Sequence, residues 1–216
     1  MTLFRLDASI RTEGSHSRQI ADIVQQEWRN AHPRDPVVNR EIGTEPLPAN
    51  AWATAVFAPY TPEEDRSPEQ REAIALAATL ADELTAADAF LFAVPLYNFG
   101  VSQHFKTWVD LVVTDPRMGA GSDPVLAGRP AVLATVHGGA YGQGTPREGW
   151  DHATPWMRRI LEDVWKLDLR VVGSEFTLVG VNPQLDEFKE IAAEMRIEAE
   201  ELARAHGRSL SAELAA

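Results

Sequence analysis

The chain has 216 residues, which suits a single domain covering residues 1–216 and leaves too little length for two domains with separate cores. Acidic residues outnumber basic ones by 32 to 20, and the net charge of −12 disfavours nucleic acid and anionic membrane surfaces as partners. The absence of cysteine excludes disulfide bonds, thiolate nucleophiles and cysteine-ligated metal sites.

Strand and helix patterns alternate along the chain, which is typical of an α/β fold. The clearest strand is the apolar run Ala89–Val94, whose composition suits a parallel strand buried on both faces. Four further segments have strand-like composition: Thr2–Asp7, Pro36–Ile42, Ala131–Val136 and part of Leu169–Val179. The sequence therefore predicts five strands.

Amphipathic helices are predicted between these strands. Apolar residues at helical spacing favour a helix from about Ser15 to Ala31 and another through Phe105 and Val112. Three helix starts are predicted where a side-chain acceptor precedes a proline, at Ser67-Pro68, Thr154-Pro155 and Asn182-Pro183. The last helix is expected to end near Gly207, because glycine commonly follows a helix C-terminus, and residues 208–216 are expected to be loose.

Two stretches rich in proline or glycine, Gly43–Pro62 and Asp115–Pro130, are predicted to be loops that wall a site or a subunit contact. Right-handed crossovers between the strands give an open parallel sheet with helices on both faces. The expected fold class is α/β, a flavodoxin-like three-layer sandwich with a five-stranded parallel sheet in the order 2-1-3-4-5. In this order the carboxyl ends of the first, third and fourth strands are neighbours, so their loops meet.

The loop after the first strand has the features of a phosphate-binding cradle. Ser9, Ser15 and Ser17 supply hydroxyl groups around His16, at the start of a helix that presents unpaired N–H groups and a positive dipole end. The loop lacks the fingerprints of triphosphate and dinucleotide loops, which disfavours ATP and a Rossmann-bound NAD. A single terminal phosphate, as in FMN, fits better. The alternative is that Ser15 or Ser17 is merely a helix N-cap.

The loop after the third strand, Pro95-Leu96-Tyr97-Asn98-Phe99, combines two aromatic rings with an amide. Tyr97 and Phe99 can cover a planar ring, and Asn98 can both donate to and accept from a heteroaromatic edge. The alternative is a turn closed by Asn98 and Gly100, with buried aromatic side chains.

The loop after the fourth strand carries four glycines between Gly138 and Gly144. Glycine lets backbone N–H groups approach a ligand closely, and His137 can place positive charge beside that ligand. A flexible loop is the alternative. Because the three loops meet at neighbouring strand ends, they favour one shared ligand site.

These motifs resemble the FMN-dependent NADH-azoreductases and related quinone reductases of flavodoxin-like fold. The resemblance covers nearly the whole chain and rests on Ser9, Ser15-His16-Ser17, Pro95-Leu96-Tyr97-Asn98-Phe99, Lys106, Asp110, Gly138-Gly139 and Thr154-Pro155. It implies that Ser9, Ser15 and Ser17 hold the FMN phosphate. Leu96–Phe99 would line the isoalloxazine, and Val136–Gly139 would approach its pyrimidine side. It also implies a homodimer with active sites at the subunit interface, in which a hydride passes from NADH or NADPH to FMN and then to a quinone or azo compound.

Two positions depart from the family pattern near the pocket. Asp163 replaces the aromatic lid residue of many members, and His137 stands where members often have arginine. We expect Asp163 and Tyr141 to line the substrate pocket, with an ordinary loop anchor as the alternative role of Tyr141. A carboxylate at the pocket mouth is expected to disfavour anionic sulfonated azo dyes relative to neutral quinones.

The rival interpretation of the same loops is a one-electron carrier or flavin sensor without NAD(P)H turnover. No side chain is assigned a catalytic role, because a flavin carries the redox chemistry itself. The six histidines show no metal-ligand spacing with one another or with carboxylates, so no metal site is expected. No secretory leader pattern or membrane-spanning run is visible, so a cytoplasmic protein is expected.

Overall fold

The computed structural model describes residues 1–213. Its strands are β1 (Leu3–Asp7), β2 (Val37–Glu41), β3 (Ala89–Tyr97), β4 (Gly100–Val101), β5 (Pro130–Val136) and β6 (Asp168–Ser174). Five of them are parallel, in the spatial order β2-β1-β3-β5-β6, which confirms the predicted arrangement. The short strand β4 turns back antiparallel along the end of β3.

Helices cover both faces of the sheet, which confirms the three-layer sandwich. They are α1 (His16–Ala31), α2 (Ala51–Phe57), α3 (Pro68–Thr85), α4 (Gln103–Val112), α5 (Thr154–Arg158) and α6 (Lys189–Glu213). Helices α1 and α6 pack on one face around the buried Trp28 and Leu91. Helices α2 to α5 pack on the other face around Phe90, Phe92 and Trp108. Strands β3 and β5 are buried along almost their whole length, as central parallel strands are.

Two of the three predicted helix starts are confirmed by their hydrogen bonds. Ser67 Oγ accepts the backbone N–H of Gln70 and the Gln70 side chain accepts that of Ser67, which forms a capping box on α3. Asn182 Oδ1 accepts the N–H of Gln184 and starts a 3₁₀ turn, Pro183–Phe188, that leads into α6. Both caps satisfy donors that a first helical turn leaves unpaired.

The third predicted start is wrong in its capping residue. Thr154 is the first residue of α5, and Ala153 occupies the N-cap position without a side-chain capping bond. Asp151 Oδ1 accepts the backbone N–H groups of Ala153 and Thr154, at 2.8 and 2.9 Å. The start of the helix is therefore tied by the preceding carboxylate, and Thr154 lies one position too late to be its cap. Pro155 lies in the first turn of the helix, as predicted.

The predicted end of the last helix near Gly207 is also wrong. Helix α6 continues to Glu213, so residues 208–213 are helical, and the rest of the predicted loose segment lies outside the described residues. A Cβ atom on Gly207 would lie 2.7 Å from Cβ of Glu27 and 2.9 Å from the carbonyl oxygen of Val24. Glycine is therefore needed where α1 and α6 cross closely.

The first predicted loop is partly helical. The stretch 43–62 contains α2 and a 3₁₀ turn, Ala58–Tyr60, and its aromatic side chains Trp52, Phe57 and Tyr60 are exposed. The stretch 115–130 has no helix or strand before β5 begins at Pro130, as predicted. Within residues 1–213, no helix is long and apolar enough to cross a membrane.

Candidate functional site

A cleft opens at the carboxyl ends of β1, β3 and β5, where the three predicted loops meet. Its cavity volume is about 250 Å³, close to the lower end of the range for small-molecule sites. Nine of the thirteen residues predicted to bind a cofactor line it: Ser9, Ser15, His16, Ser17, Pro95, Leu96, Tyr97, Val136 and Gly138. Sequence reasoning missed three further lining residues, Arg11, Thr177 and Leu178.

The serines of the cradle are buried. Ser9, Ser15 and Ser17 expose 2%, 4% and 0% of their surface. Ser15 occupies the N-cap position of α1, but its side chain accepts no capping hydrogen bond from the described backbone; its Oγ lies 3.3 Å from Ser17 Oγ. A serine that served merely as a cap would bond to the first helical turn. The geometry therefore favours the phosphate-binding interpretation over the N-cap alternative.

Arg18 and Glu41 hold the backbone of the cradle in place. The Arg18 guanidinium donates to the carbonyl oxygens of Ser9 and Arg11, at 3.0 and 3.1 Å. The Glu41 carboxylate pairs with Arg18 and accepts two N–H groups from the loop after β2. Burial raises the pKa of Glu41, but Arg18 and the N–H donors outweigh burial and hold that pKa below its usual value. Both side chains are therefore charged in the fold.

Gly43 lets the loop after β2 pack directly on the cradle. A Cβ atom at this position would lie 2.0 Å from the carbonyl oxygen of Ser9 and 2.5 Å from its carbonyl carbon. No other residue fits there unless the cradle backbone moves. From the sequence, Gly43 was predicted only to begin a loop. Its packing role could have been suspected from its position just after β2, the strand that pairs with β1.

Positive charge gathers at the cradle end of the cleft. Arg11 lines the cleft and makes no ion pair with any described residue. Burial lowers the pKa of His16, and the nearby charges of Arg196 and Arg11 lower it further. The positive end of the α1 dipole adds to this potential. Although the cradle contains no lysine, it therefore favours an anionic ligand.

The aromatic loop is a two-residue hairpin turn. Strand β3 continues through Pro95 to Tyr97, and Asn98 and Phe99 have φ angles of 48° and 67° before β4 begins. Such turns need positive φ at both central residues, which asparagine tolerates and phenylalanine rarely adopts. Tyr97 Oη accepts the N–H of Ile10 at 3.2 Å. The Tyr97 side chain therefore links this loop to the cradle.

Asn98 and Phe99 lie at the rim of the cleft and are absent from the lining that the described residues form. Phe99 is 39% exposed, and its ring centroid lies 6.2 Å from that of Tyr141 and 5.4 Å from that of Trp150. The Phe99 carbonyl oxygen accepts the N–H of His152. The hairpin tip and the glycine-rich loop thus share an aromatic rim.

The glycine-rich loop offers two backbone donors. The carbonyl oxygens of Gly138 and Gly139 accept the N–H groups of Leu178 and Phe176, whereas the two glycine N–H groups have no partner among the described residues. Gly139 is buried, and an unpaired buried N–H costs about as much free energy as a lost hydrogen bond. Both donors are therefore available to an acceptor on a bound ligand.

His137 lies behind this loop, buried between two carboxylates. Its Nε2 is 3.2 Å from Asp151 Oδ2, and its Nδ1 is 3.7 Å from Glu175 Oε1. Burial raises the pKa of Asp151, but His137, Thr154 and the backbone N–H of Ala153 outweigh burial and hold that pKa well below its usual value. Sequence reasoning missed Asp151 and Glu175, because no local pattern marks either residue.

The two predicted substrate-pocket residues lie outside the lining that the described residues form. Tyr141 is half-buried at the aromatic rim. Asp163 lies on a π-helical turn, Arg159–Val164, that follows α5. The Asp163 side chain is 49% exposed and pairs with Arg159 at 2.8 Å. Their role in the substrate pocket stays a prediction, and the ion pair offsets the charge on which the predicted selectivity of Asp163 depends.

Comparison with known proteins identifies the family. A sequence profile described as flavodoxin-like fold matches residues 1–202. The chain belongs to this flavodoxin-like family. An FMN-dependent NADH:quinone oxidoreductase of Frankia casuarinae is 40% identical over 204 residues, which cover 94% of this chain and 96% of the relative. A protein of the same name from Streptomyces avermitilis is 31% identical over 216 residues, covering 100% of this chain and 99% of the relative.

Solved structures share the fold of this family member. The azoreductase AzrA has a TM-score of 0.76 at 21% identity, covering 97% of this chain and 100% of AzrA. An FMN-dependent NADH-azoreductase from Bacillus anthracis, in complex with FMN, has a TM-score of 0.74 at 12% identity, covering 96% and 100%. The predicted flavodoxin-like fold and the family resemblance are therefore confirmed.

Proposed function

We propose that the chain is an FMN-dependent NADH:quinone oxidoreductase. The observation that carries this proposal is the cradle end of the cleft, where three buried serines lie beside Arg11, which has no ion-pair partner among the described residues. Tyr97 and Leu96 line the same cleft. Hydroxyl and guanidinium donors suit a phosphate, and the aromatic loop suits a planar ring. Relatives that match nearly the whole chain carry this name.

Three loops share the binding of FMN in this proposal. The residues assigned to FMN are Ser9, Arg11, Ser15, His16 and Ser17 at the phosphate, Pro95, Leu96, Tyr97, Asn98 and Phe99 along the ring, and Val136, His137, Gly138 and Gly139 at its pyrimidine side. When bound, FMN supplies the hydride-transfer chemistry, so no side chain is given a catalytic role. The free N–H groups of Gly138 and Gly139 would donate to an acceptor on the ring. Donors that the fold holds in place stabilise negative charge without reorganising.

Donor and acceptor are proposed to enter in turn at the rim formed by Phe99, Tyr141 and Trp150. Shared use of one entry requires NADH to react and leave before the quinone binds, which is a ping-pong sequence. Azo compounds are a second class of acceptor, supported by the resemblance of the Pro95–Phe99 loop to azoreductases. The cytoplasmic location stays a prediction.

A homodimer is proposed because several aromatic rings are exposed, one of them at the rim of the cleft. Trp52, Phe57 and Tyr60 on and after α2 expose 45%, 65% and 85% of their surface, and Trp150 at the rim exposes 50%. Such exposed aromatic residues are enriched at protein interfaces. A second copy would bury them and complete the wall of the substrate pocket. Equilibrium sedimentation tests this. A monomer at micromolar concentration, with FMN bound and activity intact, would contradict the dimer.

The proposed activity is tested by loading the flavin-free protein with FMN and adding NADH with a water-soluble benzoquinone. We expect NADH oxidation that requires both FMN and the quinone, and double-reciprocal plots with parallel lines at several quinone concentrations. A parallel series with NADPH identifies the preferred donor. Intersecting lines would contradict the shared entry. Negligible NADH oxidation by protein with bound FMN would contradict the enzyme and support the carrier or sensor alternative.

A further inference from the structure

His137 connects three separate segments at the base of the glycine-rich loop. The residue directly follows β5 and exposes 7% of its surface. One imidazole nitrogen lies 3.2 Å from the carboxylate of Asp151, at the far end of the loop, and the other lies 3.7 Å from that of Glu175, directly after β6. Through one ring, the end of β5 therefore contacts both the start of α5 and the segment after β6.

Glu175 closes the loop into a short arch. Its Oε1 is the atom nearest His137 and also accepts the backbone N–H of Tyr141, at 2.8 Å. One carboxylate oxygen thus contacts the residues on both sides of Gly138–Ala140, and the Tyr141 ring centroid lies 5.4 Å from the imidazole. The arch contains the two glycine N–H groups that have no partner among the described residues.

Two carboxylates and a phenol face the His137 ring. Asp151, Glu175 and Tyr141 lie against it, and Arg147 lies over the Tyr141 ring at 5.9 Å. Neither carboxylate forms an ion pair with a lysine or an arginine among the described residues. Neither imidazole nitrogen meets hydrogen-bond geometry with a described residue, so the two carboxylates hold the ring through close polar contacts.

We propose that His137, held between Asp151 and Glu175, is a positioning residue that fixes the Gly138–Ala140 arch and aims its free N–H groups at the cofactor. The proposal rests on the proposed function, because the cofactor is the acceptor at which those groups are aimed. Loss of the imidazole ring loosens the arch, exposes its amides to exchange and weakens FMN binding. The planar guanidinium of an arginine at this position can contact both carboxylates in its place.

The test compares His137→Gln and His137→Arg with wild type. His32→Gln is the matched control, because His32 Nδ1 forms a similar pair with Asp35 at 3.3 Å near the C-terminal end of α1. Hydrogen exchange of the Gly138–Tyr141 amides is measured on the flavin-free proteins, and FMN affinity is measured by flavin fluorescence.

We expect faster exchange and roughly tenfold weaker FMN binding in His137→Gln, the usual size of one lost hydrogen bond between the arch and the cofactor. His137→Arg, whose guanidinium can contact both carboxylates, should restore both properties towards wild type. His32→Gln should behave like wild type in both measurements.

Equal exchange rates in wild type and His137→Gln, or exchange as fast in a folded His137→Arg as in His137→Gln, would overturn the proposal. If His137→Arg does not fold, Glu175→Gln replaces it and should speed exchange of the Tyr141 amide. Failure of wild type to bind FMN would overturn the proposed function instead. Exchange in the flavin-free proteins would still decide whether His137 holds the arch.

Discussion

The cradle and the glycine-rich loop meet in one cleft but are stabilised differently. The three cradle serines are buried, although residues 10–14 between them are exposed, and the backbone is well supported: Arg18 binds two of its carbonyl oxygens, and Gly43 packs against it. The glycine-rich loop is exposed over most of residues 142–150 and is tied at its base by His137. In the proposed site, the cofactor phosphate would therefore be held by backbone that several elements support, and the part nearest the substrate would depend on a few side-chain contacts.

The largest expected effect is that of Gly43→Ala. Its Cβ would overlap the Ser9 carbonyl group, so either the cradle moves or the loop after β2 leaves it. We expect a loss of about 4 kcal/mol or more of unfolding free energy, together with FMN affinity, as in severe steric substitutions. Urea unfolding and an FMN titration measure both. Gly173→Ala is the control, since no atom lies within 4 Å of its Cβ position. Equal stability of the two variants would contradict the packing argument.

The next largest effect is expected for Ser15→Ala and Ser17→Ala, which test whether the cradle binds a phosphate. Each removes one hydroxyl that the proposal assigns to a phosphate, which should cost roughly 1.5–3 kcal/mol of FMN binding, or about tenfold to a hundredfold in Kd. Unfolding of the flavin-free protein should change little, because Ser15 makes no capping bond with the described backbone. Unchanged FMN affinity in both variants would mean that these serines have a structural role and do not bind the phosphate.

Gly207→Ala should lower stability without touching the cleft. The added methyl group would press on the carbonyl oxygen of Val24 and on Glu27. Overpacking of this kind costs about 1–3 kcal/mol, against a gain of roughly 0.5–1 kcal/mol for alanine over glycine within a helix. Thermal unfolding should show the net loss, and the FMN titration should match wild type. A stabilised variant would mean that α1 and α6 can separate at no cost.

Lowering the pH should destabilise the fold at the cradle, because the Glu41 carboxylate becomes protonated. The pKa of Glu41 is lowered in the fold, so the stability it contributes is present above the unfolded pKa and is lost as pH falls through the lower folded pKa. We expect Glu41→Gln to lose stability at neutral pH and to show a flatter decline below about pH 4.5. Urea unfolding across pH 3–7 measures the free energy of unfolding of both proteins. Parallel pH profiles for the two proteins would contradict the Arg18–Glu41 account.

The smallest expected effect is that of Asp163→Asn on the π-helical turn after α5. Removing the carboxylate should raise the rate with a sulfonated azo dye more than with a neutral quinone, because like charges repel. The exposed pair with Arg159 limits the change to roughly threefold, as for other solvent-screened ion pairs. Steady-state rates with both acceptors measure the ratio. Equal changes in the two rates would place Asp163 away from the substrate.

The sequence predicted most of the fold because local signals and topology agreed. The buried run of β3 and the Ser67 capping box each have short-range patterns, and parallel strands joined by helices permit few arrangements. Gly207 was misinterpreted because its role comes from Val24, on a helix far away in the chain. Thr154 was misinterpreted because the helix begins one residue earlier than predicted, with Ala153 at the N-cap and the Asp151 carboxylate bound to the first amides.

Among the residues of the candidate site too, those with a local sequence pattern could be predicted and those without one could not. The cradle serines could be predicted since hydroxyl groups before a helix have a local meaning. Arg11 was overlooked although it stands among them, and its lack of a partner among the described residues is visible in three dimensions alone. The clamp of His137 by Asp151 and Glu175 joins residues 14 and 38 positions away from it in sequence, so no local pattern could indicate it.

The central claim, that the cradle binds the phosphate of FMN, is tested most directly by comparing FMN with riboflavin. The two ligands share the isoalloxazine ring and differ in the phosphate, so their affinity ratio isolates the cradle. Two or more hydrogen bonds to a charged group, at roughly 1.5–3 kcal/mol each, predict that FMN binds the flavin-free protein at least about a hundredfold more tightly than riboflavin. Inorganic phosphate should weaken FMN binding by competition and leave riboflavin binding unchanged. Equal affinities for the two flavins would contradict the account.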